Sequence, residues 1–165
     1  MSYPIELIRH SLAHVMAAAV KKLHPDIKFA GGPAIENGFY YDFDTDYRFS
    51  EDDFEKIEKE MRDLIKSNGR FEQRIVSLEE AKELFHDQPY KMEWLNEYDA
   101  NGEKLSVYSF RDFTDLCRGP HVEVPKIYHA MLSKFVPLQV HIGRVILKIK
   151  CCKESMLMHL PAKKN

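Results

Sequence analysis

Apolar residues at Leu7, Ile8, Leu12, Val15, Met16, Ala19, Val20 and Leu23 recur at three- and four-residue steps. That period predicts a helix over residues 4–24 with one buried stripe. Pro4 suits a first helical turn, and Pro25 cannot continue the helix. Phe54, Ile57, Met61, Leu64 and Ile65 predict a second helix over 50–68, opened by a Ser50–Asp53 capping pair and stopped by Gly69. Ser77-Leu78-Glu79-Glu80 opens a third, short helix ending near Phe85. Strands are expected at 27–30 and 39–43, with Asn37-Gly38 as the hairpin signal. Further strands are expected at 71–76 and, after the Asn101-Gly102 turn, at 105–110. Residues 115–121 read as a loop whose direction is set by Gly119-Pro120. Without repeat or linker, residues 1–130 read as one α+β domain, helices packed on a mainly antiparallel sheet.

Charge divides the chain more sharply than hydrophobicity does. The 165 residues carry a net charge of −2, which excludes a strongly basic nucleic-acid wrapper. Yet Lys134, Arg144, Lys148, Lys150, Lys153, Lys163 and Lys164 face only Glu154 beyond residue 130, a net of +6 that leaves −8 on residues 1–130. Cys117, Cys151 and Cys152 make a poor disulfide framework, so a reducing cytoplasm is the expected setting. No apolar run has membrane-spanning length and no secretory leader is recognisable, so no membrane association is expected.

Candidate chemistry sits in two places. His10 and His14 are one helical turn apart and share a face. Cys117 and His121 lie four apart in the loop. If the loop folds onto the helix, these four side chains form a tetrahedral zinc set or a metal-free acid–base site, and spacing does not choose between them. Asp115 and Lys91 could add an orienting carboxylate and a cation for a developing oxyanion. On composition alone they read as solvated surface charges.

Three segments in order carry a resemblance: His10-Ser11-Leu12-Ala13-His14, the run from Gly32 through Tyr41-Asp42, and Asp115-Leu116-Cys117-Arg118-Gly119-Pro120-His121. Together they closely resemble the editing domain of threonyl-tRNA synthetases, a superfamily shared with alanyl-tRNA synthetase editing domains. The resemblance covers roughly residues 5–130. It implies hydrolysis of seryl-tRNA(Thr), with the aminoacylated 3′ end of tRNA(Thr) as partner. Serine and threonine differ by one methyl, worth about 1–3 kcal/mol in a binding pocket, so a second site that sorts by size has a physical purpose. By resemblance the catalytic set is His10, His14, Lys91, Asp115, Cys117 and His121, and Gly32 and Tyr41 shape the substrate pocket. No cofactor is required for editing on this reading. Zinc stays open, held by His10, His14, Cys117 and His121 if bound. A free-standing trans-editing deacylase and an inactive or zinc-binding truncated product are the alternatives, and nothing sets an oligomeric state.

The resemblance implies that the aminoacylation and anticodon-binding modules lie outside this chain, and it stops near His129-Ala130. Back-translating the following residues with permitted codons and reading two bases later gives an Ala-Gly-Ala-Tyr-Trp run similar to the family's continuation. Residues 131–165 are therefore expected to be a basic tail out of frame with the family. Its run at 142–151 is expected to pack poorly and leave a sheet edge uncovered.

Overall fold

The computed structural model describes residues 3–36, 38–67 and 69–123, and the backbone of two strands, Gln139–His141 and Val145–Lys150. Helix α1 (Ile5–Leu23) starts at Pro4 and ends at His24, as the apolar period predicts. Its burial goes beyond one stripe: every residue from Ser11 to Val20 is buried. The reason is its position between helix α2 (Glu51–Lys66) and strands of both sheets, where Ala13, Ala17, Ala18 and Ala19 allow close approach. Arg9, Ser11 and His14 are therefore buried, while Glu6 and Lys22 at the two ends stay exposed and His10 is half-buried.

The first sheet is built on strand β3 (Gly38–Asp44), whose Phe39, Tyr41 and Phe43 alternate into the core. Two short strands share one edge of it. Strand β1 (Lys28–Phe29) pairs with its far end, Phe29 opposite Phe43, and β2 (Ala34–Ile35) with its start, Ala34 opposite Phe39. The hairpin therefore joins β2 to β3 rather than the expected 27–30 segment, which shortens to two residues. On the other edge lies β8 (Val145–Lys150), from Gly38 opposite Lys150 to Phe43 opposite Val145, followed by β7 (Gln139–His141). The expectation of an uncovered edge is corrected here, since the backbone hydrogen-bonding groups of β3 find a partner strand.

A second antiparallel sheet orders β4 (Phe71–Ile75), β5 (Ser106–Phe110) and β6 (Phe113–Leu116). The expected single sheet is thus two small ones within the α+β class. Strand β6 occupies the start of the segment read as a loop, so Asp115 is a strand residue and only the part from Cys117 onward is irregular. Helix α3 (Leu78–Leu84) matches its capping signal, with Ser77 Oγ accepting the Glu80 amide at 3.1 Å. Helix α4 (Pro89–Ala100) lies outside the elements expected from sequence; it packs Leu95 with Ala81, Phe85, Val107 and Leu116 in a second core. No helix among the described residues is long and apolar enough to cross a membrane.

Candidate active site

Cys117 follows the last residue of β6, and its amide donates to the Ser106 carbonyl at 3.1 Å, which fixes where the irregular segment leaves the sheet. Gly119 then turns with φ +66°, and a Cβ there would stand 2.1 Å from the Tyr108 hydroxyl, so only glycine fits. This turn returns His121 over α1, where His10 and His14 wait on one face.

His10, His14, Cys117 and His121 come together as expected, with their donor atoms all within 4.8 Å of one another. His10 Nε2 is 3.2 Å from Cys117 Sγ, and His121 Nε2 is 3.5 Å from the same sulfur. The Gly119 amide donates to that sulfur at 3.2 Å. His121 is stacked between Phe71 and His10, with centroid distances of 4.1 and 4.5 Å. His10 and Cys117 remain half-buried, so the cluster opens on their side, whereas His14 and His121 are buried.

Behind the cluster lies a layer of buried charge. Lys91 and Asp115 are 1% and 2% exposed, which corrects the reading of them as surface charges. Lys91 Nζ lies 2.6 Å from Asp115 Oδ1, and Tyr41 donates to Asp115 Oδ2 at 2.5 Å. Lys91 also donates to the Tyr41 oxygen at 3.2 Å and sits 4.9 Å from the Trp94 ring centroid. His14 Nδ1 stands 3.3 Å from Asp115 Oδ2, within ion-pair range but not aligned as a hydrogen bond. A buried charge pair persists only where its remaining hydrogen-bonding capacity is met, and Tyr41 meets part of it. Gly32 lies outside this layer, at the backbone of β3: a Cβ there would meet the Tyr40 carbonyl at 1.8 Å.

Burial sets the charge state of the cluster. It pushes His121 down to about 2, with His14 and His10 adding to the effect and Asp115 opposing it. His14 is likewise held well below its usual value by burial, then by His10 and Lys91. Burial lowers His10 too, but the Asp115 carboxylate opposes this. The Cys117 thiol is raised to about 11, chiefly by burial, although the Gly119 amide favours its thiolate. At neutral pH the metal-free cluster is therefore three neutral imidazoles and a thiol. A thiol so raised is a poor nucleophile, which directs attention to the ring nitrogens.

Three imidazoles and one thiol also form a donor set of the kind zinc takes, and the two nitrogen–sulfur separations, 3.2 and 3.5 Å, lie near the roughly 3.5 Å edge of a tetrahedral site. The residues present fit the ion.

No protein-family model matches the chain. Over 118 residues, 72% of its length, it is 52% identical to a threonine--tRNA ligase of Staphylococcus carnosus and 51% identical to those of Staphylococcus aureus strains. The chain resembles part of a threonine--tRNA ligase. It spans about a fifth of the length of these curated relatives, 18% in each case.

Several residues beside the cluster lie outside the set expected from sequence. Ser11 carries a legible signal, because it lies between the two histidines and, with His14, is the only polar residue in the run 11–20. Phe71, Tyr108 and Trp94 carry none: each reads as ordinary core, and only the tertiary fold sets their rings against His121 and Lys91.

Proposed function

We propose that this chain carries an editing-type deacylase site that hydrolyses the ester of seryl-tRNA(Thr) in the cytoplasm. The observation that carries the reading is the four-donor cluster backed by the buried Lys91–Asp115–Tyr41 layer, in a chain that is 52% identical over 118 residues to a threonine--tRNA ligase. Water adds to the aminoacyl carbonyl, the bond from that carbon to the ribose oxygen breaks, and serine and a free tRNA 3′ end leave. His10 is the base of choice, because it lines the open side and Asp115 partly offsets the effect of its burial. His14 and His121 remain neutral and orient the water by accepting from it. Lys91 is buried and acts as a positioning residue: it holds Asp115 and Tyr41 and places positive charge behind the developing oxyanion. Zinc held by His10, His14, Cys117 and His121 would supply Lewis-acid polarisation.

With −8 on residues 1–130, the chain has little attraction for phosphates, so its grip on tRNA is weak and is directed at the acylated end. The test is deacylation of seryl- and threonyl-tRNA(Thr) by the full chain, before and after chelation. The expected result is faster loss of serine than of threonine, reduced by about 10²–10⁴-fold in His10→Ala. Activity that survives chelation assigns it to the side chains alone. A folded chain that leaves seryl-tRNA intact overturns the reading.

A further inference from the structure

We propose that Ser11 is a positioning residue that fixes His121 as the tautomer protonated on Nδ1, leaving the Nε2 lone pair facing Cys117 and the cluster. This deepens the hydrolytic reading, on which its catalytic consequence rests. Ser11 is fully buried, and its hydroxyl has one proton and two lone pairs to share among three neighbours. The Val122 amide donates to Oγ at 3.0 Å. The Leu7 carbonyl oxygen is 2.9 Å away, and His121 Nδ1 is 3.1 Å away.

The Leu7 contact decides where the proton lies. A carbonyl oxygen has no hydrogen to offer, so two oxygens at 2.9 Å repel unless the serine proton lies between them. Serine on a helix makes this bond to the carbonyl four residues back. With its proton committed to Leu7, Oγ can meet Nδ1 only as an acceptor, and the hydrogen must sit on the imidazole. One neutral imidazole carries one such hydrogen, so Nε2 is bare.

The ring cannot escape this assignment by turning over. Phe71 stacks on one face and His10 on the other, and the Tyr108 ring lies edge-on at 4.5 Å. Nε2 therefore presents a lone pair on the edge facing the cluster, able to accept from a water or to ligate a cation. The opposite tautomer would point an N–H inward, which repels a cation and can only donate to a water rather than accept its proton. Fixing a histidine's tautomer through its second nitrogen is how surrounding shells tune such sites.

The test is long-range ¹H–¹⁵N correlation spectroscopy of the uniformly ¹⁵N-labelled full chain, chelated and at neutral pH, with signals assigned through His121→Gln. The expected spectrum shows Nδ1 protonated and Nε2 bare; a protonated Nε2 overturns the proposal. Ser11→Ala should release the preference and populate the Nε2-protonated form, while Ser11→Thr, which keeps the hydroxyl, should restore it. A folded Ser11→Ala chain that keeps the Nδ1-protonated form alone also overturns it. If Ser11→Ala does not fold, the unsubstituted chain decides through its own spectrum. The deacylation assay separates the two readings. An inactive chain with bare Nε2 sinks hydrolysis and leaves the assignment standing, and an active chain with protonated Nε2 does the reverse.

Discussion

His14 and His121 show how a single residue type couples the site to stability. Both are buried, and burial keeps each imidazole neutral to far lower pH than in the unfolded chain, where the ordinary value is about 6.5. Below about pH 6.5 the unfolded state binds protons that the folded state refuses, so stability falls with pH. For His121 the loss continues until its folded value of about 2. Each such histidine costs up to about 1.4 kcal/mol per pH unit in that window. Urea unfolding of the chelated chain should therefore show a loss of about 2–3 kcal/mol between roughly pH 7.5 and 5.5. His121→Gln should remove its share of the slope, and a midpoint unchanged across that range would contradict the burial argument. Legibility at this scale was uneven. The histidines and Cys117 stand out because their residue types carry chemistry at recognisable spacings, whereas Asp115 reads as a surface charge until the fold buries it. Lys91 does not stand out either: an isolated lysine between Tyr90 and Met92 looks solvent-facing, and only α4 and β6 folding together bury it against Asp115.

At the scale of elements, local signals were most reliable where one residue does a defined job. Ser50 and Asp53 open α2 as their spacing suggests: Asp53 Oδ2 accepts from the Ser50 amide at 2.9 Å, the Ser50 hydroxyl at 2.8 Å and the Tyr47 hydroxyl at 2.9 Å. The hydrogen bond from the Ser50 amide, with those from the two hydroxyls, holds its carboxyl well below the usual range, although burial opposes this. Asp53→Ala should destabilise the chain by about 1 kcal/mol, read from denaturant midpoints, with deacylation per folded molecule unchanged. A drop in turnover without loss of stability would tie α2 to the site instead. Helix α4 is not legible in the sequence for a physical reason. Pro89 opens it well, but Met92, Trp94, Leu95 and Tyr98 cover it on several sides, so no single apolar stripe marks the helical period. Strand β6 has only four residues and follows the turn at Arg111, whose φ is +56°. Its register comes from pairing with β5 rather than from its own pattern.

For the whole molecule, the decisive question is what residues beyond 130 contribute. Identity to threonine--tRNA ligases extends over 118 residues, and the basic tail differs from the preceding chain by fourteen charge units, +6 against −8. Nevertheless Val145–Lys150 lies antiparallel along β3, with all six residues from Gly38 to Phe43 in register. Backbone pairing needs little side-chain specificity, because the groups that bond belong to every residue. Residues 145–150 can thus cover an edge that would otherwise expose a row of unpaired amides and carbonyls. A chain ending at residue 130 should lose this cover and self-associate through β3, since Phe39, Tyr41 and Phe43 belong to a core whose sheet now ends there. Light scattering across a concentration series should show growing mass for the shortened chain, and hydrogen exchange should show faster amide loss at residues 38–43. Glu or Lys replacing Ile146 and Leu147 in the full chain should leave exchange at β3 slow if backbone pairing carries the contact, and speed it if side chains do. A shortened chain that stays monomeric with unchanged exchange would show that β3 holds its core without a neighbour on that side.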